Sequence, residues 1–107
     1  MWNAPPRLQV WLPELTSEQK AKFGLPESDS PLEARWINRR GRGGEQAFSD
    51  GLREGDVVIA LAGKPLRNMN SPQFSAQIKL HYKVGDTLPL TVLREGRKME
   101  LKIKLVE

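Results

Sequence analysis

Side chains that could do chemistry are few in this chain and do not cluster. There is one histidine, His81, and no cysteine, so acid–base work near neutral pH would rest on a single imidazole. No aspartate or glutamate lies within a helical turn of it to orient the ring. The nucleophile–base–orienter pattern is therefore missing, and His81 reads as an exposed residue at a helix end. Absence of cysteine excludes disulfides, thiolate metal sites and cysteine nucleophiles, and leaves reducing and oxidising compartments alike open. Glu27 and Asp29 form the local acidic pair around Ser28, too few ligands for calcium and better read as loop solubility. Gly41, Gly43 and Gly44 stand among Arg39, Arg40 and Arg42 in RRGRGG. The likeness to a phosphate cradle is superficial, because no Gly-Lys-Ser/Thr follows and no strand, glycine loop and long helix succeed one another there. Trp2, Trp11 and Trp36 offer faces on which bases stack, but tryptophans in or beside strand-like runs belong more often to a core or a groove wall. No catalytic residue, metal or cofactor is expected.

Composition sets the frame in which these residues sit. A chain of 107 residues holds one compact domain with a single core, and we expect one domain over 1–107, cut from a larger protein and monomeric when isolated. Its 38% hydrophobic and 28% charged residues, with nine glycines and eight prolines, describe a turn-rich globular chain, neither disordered nor fibrous. The formal net charge of +4 permits attraction to nucleic acid or anionic lipid. Outside the arginine–glycine stretch, however, basic residues are interleaved with glutamates, as on a solvated face, so no nucleic-acid partner is expected. No window approaches the ~18 apolar residues of a membrane span, and MWNAPPRLQV lacks the apolar centre of a signal peptide. Membrane insertion by this segment is not expected.

The elements read as follows. LQVWL, 8–12, has the composition of a strand and stops at Pro13. Thr16 or Ser17 caps a short helix through SEQKAKF, which Gly24 and Pro26 end. EARWIN, 33–38, alternates Ala34, Trp36 and Asn38 against Arg35 and Ile37 as a second strand. RRGRGG reads as a mobile loop, followed by a helical turn over 45–49. VVIAL, 57–61, is a short apolar run suited to a strand buried on both faces. Ser71 as cap with Pro72 at the first helical position starts a helix of about three turns. On it Phe74, Ile78 and Tyr82 or His81 form an apolar stripe, with Gln73, Gln77 and Leu80 on the adjacent face. Two alternating strands, 88–93 and 99–106, meet at Glu95-Gly96. The order predicts a small α+β domain with a curved sheet closed by a helix.

Residues 51–65, GLREGDVVIALAGKP, carry the most specific pattern. A Gly-Leu-x-x-Gly-Asp turn runs straight into an apolar strand that ends in Gly-Lys-Pro, and this closely resembles the signature of bacterial PDZ domains. LQVWLPELTSEQKAKFGLP resembles the opening strand and short helix of PDZ domains in HtrA/Deg-type serine proteases, and VGDTLPLTVLREGRKMELKIKL their closing hairpin. The resemblance covers about 8–106. It implies a partly open five- to six-stranded β-barrel with two to three short helices in the bacterial permuted strand order, an extracytoplasmic setting, and no enzymatic activity of the domain itself beyond service to a protease. It also implies a partner: a protein C-terminus or extended segment, bound by strand addition between a sheet edge and the long helix. Carried over, the groove strand is Leu8, Gln9, Val10, Trp11 and Leu12. The loop for a terminal carboxylate is Pro6, Arg7, Leu8, Gln9 and Val10, and the helix face is Gln73, Gln77 and Leu80. The family loop has a glycine where this chain has Gln9, so the alternative is a PDZ-fold scaffold or docking domain without carboxylate-dependent binding. In the signature segment itself, Leu52 is expected as a core plug and Asp56 as an acceptor for neighbouring amides.

Overall fold

The structure, a computed structural model, describes residues 8–67 and 69–106. Trp2, Pro6 and Arg7 lie outside them. Among the described residues ten short elements follow one another: β1 (Val10–Trp11), α1 (Ser17–Lys22), β2 (Leu32–Glu33), β3 (Trp36–Ile37), α2 (Arg42–Ser49), β4 (Val57–Leu61), β5 (Lys64–Pro65), α3 (Ser71–His81), β6 (Thr87–Arg94) and β7 (Arg97–Lys104).

The strands form two antiparallel sheets. The larger runs β2-β4-β6-β7 with β5 on β4, and the smaller is the β1–β3 ribbon. One stretch of chain serves both. Leu32 and Glu33 pair with Val58 and Val57, and three residues later Trp36 and Ile37 pair with Trp11 and Val10. Between them Ala34 is pinned, its N–H donating to the Asp56 carbonyl at 2.8 Å and its own carbonyl accepting from the Gly55 N–H at 2.8 Å. The 33–38 segment is thus a crossing between sheets and not one alternating strand. Ala34 and Ile37 are buried while Trp36 is 55% exposed. Trp11, its cross-strand partner, is 54% exposed, so neither tryptophan serves the core.

β4 is buried on both faces, as its unbroken apolar sequence requires. Val58 joins the main core of Leu32, Leu52, Phe74, Leu88, Leu90, Val92, Ile103 and Leu105. Val57 faces the other way into a smaller cluster with Leu15 and Leu93. A register shift between Val58 and Ala60 in the pairing with β6 bends the strand, as an extra residue on one side of a ladder does. Along β7, Leu101 and Ile103 are buried while Glu100, Lys102 and Lys104 are exposed, the period-2 pattern of a sheet with one wet face.

The turn before β4 is fixed by charge. Gly51 and Gly55 take the positive φ it requires, 111° and 97°. Leu52 is fully buried. Asp56, 1% exposed, accepts from the Arg53 N–H at 2.9 Å and from both Nε and Nη2 of Arg94 at 2.7 and 2.6 Å. Arg94 Nη2 also donates to the Gly51 carbonyl at 2.7 Å. Hydrogen bonding to Asp56 raises the Arg94 guanidinium above its ordinary range, with burial opposing.

Candidate functional site

A groove of about 390 Å³ runs between the β1 segment and α3, lined by Leu8, Gln9, Val10, Leu12, Phe74, Ser75, Ile78 and Lys79. Among the described residues β1 pairs only with β3, so its other edge faces this groove without a strand partner. The floor is apolar because Leu12, Phe74 and Ile78 are buried in the main core, with Leu8 and Val10 packed against it. Polar groups and one cation, Lys79, stand at its rim. An edge of this kind offers backbone hydrogen bonds to any extended chain, and the side-chain pockets beside it supply selectivity.

α3 is started by a reciprocal cap. Asn70 Oδ1 accepts from the Gln73 N–H at 2.9 Å, and Gln73 Oε1 accepts from the Asn70 N–H at 2.8 Å. Asn70, not Ser71, is the cap, and the helix ends at His81, which is exposed. That cap occupies the Gln73 side chain. The helix side of the groove is lined by Phe74, Ser75, Ile78 and Lys79, neighbours of the expected Gln73, Gln77 and Leu80. Leu80 is 75% exposed, and Gln77 is half-buried outside the groove lining. On the strand side Leu8, Gln9, Val10 and Leu12 line the groove. Trp11 stands on the opposite face of β1, with the Arg35 guanidinium 5.5 Å from its ring centroid. Arg7 lies outside the described residues.

Gln9 has an environment that sequence reasoning missed. Its φ is 57°, the left-handed region that glycine enters freely and other residues enter at about 1–2 kcal/mol. Its carbonyl accepts from the Asn38 N–H at 3.0 Å. Its side-chain Oε1 accepts from the Gly43 N–H at 2.8 Å and the Gly44 N–H at 3.4 Å. Those are amides of the first turn of α2, whose N-cap residue Gly41 supplies no side-chain hydrogen bond. Gln9 thus caps a helix more than thirty residues away in sequence. One or two net hydrogen bonds at about 1 kcal/mol each offset the strain of the turn.

RRGRGG is accordingly a turn followed by the start of α2, and not a mobile loop before a later helical turn. Gly43 and Gly44 are buried. A Cβ on Gly44 would lie 1.9 Å from the Asn38 carbonyl oxygen, and one on Gly41 would lie 2.2 Å from Gln9 Oε1. Arg39 and Arg53 stack on Phe48, 4.9 and 3.8 Å from its ring centroid. The ion pairs among the described residues engage Lys20, Arg35, Arg67 and Arg94, while Arg40 and Arg42 are exposed. Among the described residues no group of three or more histidine, cysteine, aspartate or glutamate side chains could hold a metal, and no helix is long and apolar enough to cross a membrane.

This strand order, with a groove between an open sheet edge and a helix, has counterparts among solved structures. A variant of the HtrA-type protease AlgW, solved with a decapeptide, superposes with a TM-score of 0.79 at 24% identity, over 95% of this chain and 29% of that one. The HtrA3 PDZ domain bound to the phage-derived ligand FGRWV superposes with a TM-score of 0.67 at 15% identity, over 94% of this chain and 84% of that one. In sequence, the chain is 33% identical over 70 residues to the serine protease Do-like HtrA of Lactobacillus helveticus, covering 65% of this chain. It spans 15% of the length of that curated relative. No protein-family model matches. The chain has the PDZ fold, as found in HtrA-type proteases.

Proposed function

We propose that this domain is a non-catalytic recognition module that binds extended or C-terminal peptide segments by adding them as a strand to the free edge of β1. The observation that carries this reading is the open, apolar-floored groove between that edge and α3. The peptide-bound state of AlgW and of the HtrA3 PDZ domain supports it. In the whole protein such a module would present substrate to, or sense ligands for, a neighbouring protease domain. Main-chain pairing would supply most of the affinity, and the pocket formed by Leu8, Val10, Leu12, Phe74 and Ile78 would select apolar side chains.

The alternative of a scaffold without carboxylate capture turned on Gln9 filling the loop. The Gln9 Oε1 is instead engaged by α2, which weighs for the binding reading.

The test is a titration of labelled peptides from a diverse C-terminal library, each with a free and an amidated terminus. It is repeated on Ser75→Trp, which blocks the groove from an exposed helix position. Saturable binding that Ser75→Trp abolishes, with the melting temperature unchanged, is the expected result. Absence of saturable binding by any peptide refutes the reading, and equal binding of both termini removes carboxylate capture alone.

A further inference from the structure

We infer that Gln9 is the positioning residue of the ligand-facing loop, a side-chain latch that does there what a glycine does by conformational freedom. The inference rests on the peptide-binding reading above. Three observations meet at this residue. Its backbone holds φ 57° immediately before β1, so it fixes the direction in which the Leu8–Val10 amides point. Its Oε1 is held by the Gly43 and Gly44 amides at 2.8 and 3.4 Å. Its side-chain amide also occupies the space where a Cβ of Gly41 would stand, 2.2 Å from Oε1 and 2.6 Å from both Cδ and Nε2. The notch at Gly41 and the glutamine that fills it are therefore complementary parts of one lock, far apart in sequence.

The consequence is mechanical. Glycine at the head of a binding strand permits the left-handed turn but leaves it free to relax when no ligand is present. Gln9 ties the same turn to the start of a helix whose Gly44 packs against Asn38, the residue after β3, so the loop is set before the ligand arrives. Preorganisation of this kind raises affinity by reducing the ordering required on binding. The positive end of the α2 dipole is also brought behind the loop through the glutamine amide, which suits a ligand ending in a carboxylate.

The experiment is a double-mutant cycle on the whole chain: Gln9→Gly, Gly41→Ala and the two combined, with Gln9→Glu as rescue. Two readouts are followed, the amide resonances and hydrogen exchange of Gly43 and Gly44, and the dissociation constant of the tightest library peptide in free and amidated forms. Gly41→Ala expels the side chain and is expected to shift and deprotect both amides as Gln9→Gly does. Each variant should weaken binding roughly five- to tenfold, and the combined variant no further, because both act on one contact. Gln9→Glu keeps the acceptor at α2 and should recover protection of Gly43 and Gly44. It should also recover affinity for the amidated peptide, while like charge disfavours the free carboxylate.

Unchanged Gly43 and Gly44 amides in both single variants, or effects of the two that multiply, overturn the latch. Moved amides with undiminished peptide affinity overturn its positioning role. Should Gly41→Ala not fold, Gln9→Gly and its rescue by Gln9→Glu decide the matter. Should the wild-type domain bind no peptide, the peptide-binding reading fails, and the amide resonances still decide the latch.

Discussion

Replacing Asp56 by asparagine removes one negative charge and almost no volume from the turn that leads into β4. The carboxylate is 1% exposed and accepts three hydrogen bonds, one from the Arg53 amide and two from the Arg94 fork. Asparagine offers one carbonyl oxygen and turns its NH₂ toward the remaining donors, so the amide or the fork loses its acceptor. A hydrogen bond to a charged group contributes about 1.5–3 kcal/mol, and breaking a buried ion pair costs about 3–5 kcal/mol. Arg94 keeps 30% of its side chain exposed and rehydrates in part, which places the loss at about 2–3 kcal/mol. For a domain of this size that is a fall in melting temperature of about 10–20 °C, from a total stability on the order of 5–15 kcal/mol. Thermal and urea melts measure it, with the urea slope unchanged if only stability has moved. The raised guanidinium supplies stability that is complete below the ordinary arginine range and is lost only as pH climbs through the still higher folded value. The arginine side of the pair therefore adds no pH dependence to the deficit near neutrality. Because the turn lies away from the groove lining, the folded variant should bind peptide as the wild type does. A loss below about 1 kcal/mol would refute the assignment of this pair as the lock of the turn.

Other consequences are open to direct measurement. Gly44→Ala sets a Cβ 1.9 Å from the Asn38 carbonyl oxygen and should cost about 3 kcal/mol or prevent folding. Gly63→Ala meets nothing within 4 Å at φ 79° and should cost only the about 1 kcal/mol of the turn; equal melts for the two would contradict the close approach of α2 to β3. Leu80→Lys changes a side chain 75% exposed and outside the groove, so it should leave peptide affinity within about twofold, whereas a large loss would restore the helix face expected from sequence. Trp11 lies on the outer face of β1, where an added strand brings a side chain about 5 Å away; peptide should shift tryptophan emission to the blue in wild type and Trp36→Phe but not in Trp11→Phe. Arg40 and Arg42 are exposed beside the Gln9 notch, so raising salt from about 0.05 to 0.5 M should slow association of an acidic peptide severalfold and spare a neutral one.

Where local chemistry alone decides the structure, the sequence sufficed. VVIAL is β4 to the residue, because a β-branched run flanked by a charged turn and a glycine has no competing structure. The Glu95-Gly96 hairpin joins β6 and β7 in the expected place, and Leu52 is fully buried. Structure set by distant partners was less legible. α2 begins inside a glycine run that reads as a loop, since its stabilising cap comes from Gln9 in another part of the chain. The 33–38 segment divides between two sheets, and no alternation encodes such a crossing. On α3 the exposed Leu80 blurs the apolar stripe, and Gln73 is drawn into its own cap. The groove lining accordingly takes Leu8, Gln9, Val10 and Leu12 from the strand named from sequence, and neighbours of Gln73, Gln77 and Leu80 from the helix.

Backbone strain bears on which part of the molecule is specialised. Among the described residues, three other than glycine have positive φ: Gln9, Ala62 and Glu95, at 57°, 53° and 51°. Ala62 and Glu95 are each followed by a glycine of positive φ, Gly63 and Gly96 at 79° and 78°, and each pair forms the tight turn of a hairpin, β4–β5 or β6–β7. There the left-handed residue matches the twist of the strands it joins. Gln9 has no glycine beside it and closes no hairpin, and its side chain reaches across the fold to α2. Left-handed backbone that the local turn does not demand is held by the surrounding structure, and such positions gather where ligands are held. Two of the three thus belong to the architecture that GLREGDVVIALAGKP helps to build. The third lines the groove beside β1, where no hairpin demands its left-handed backbone.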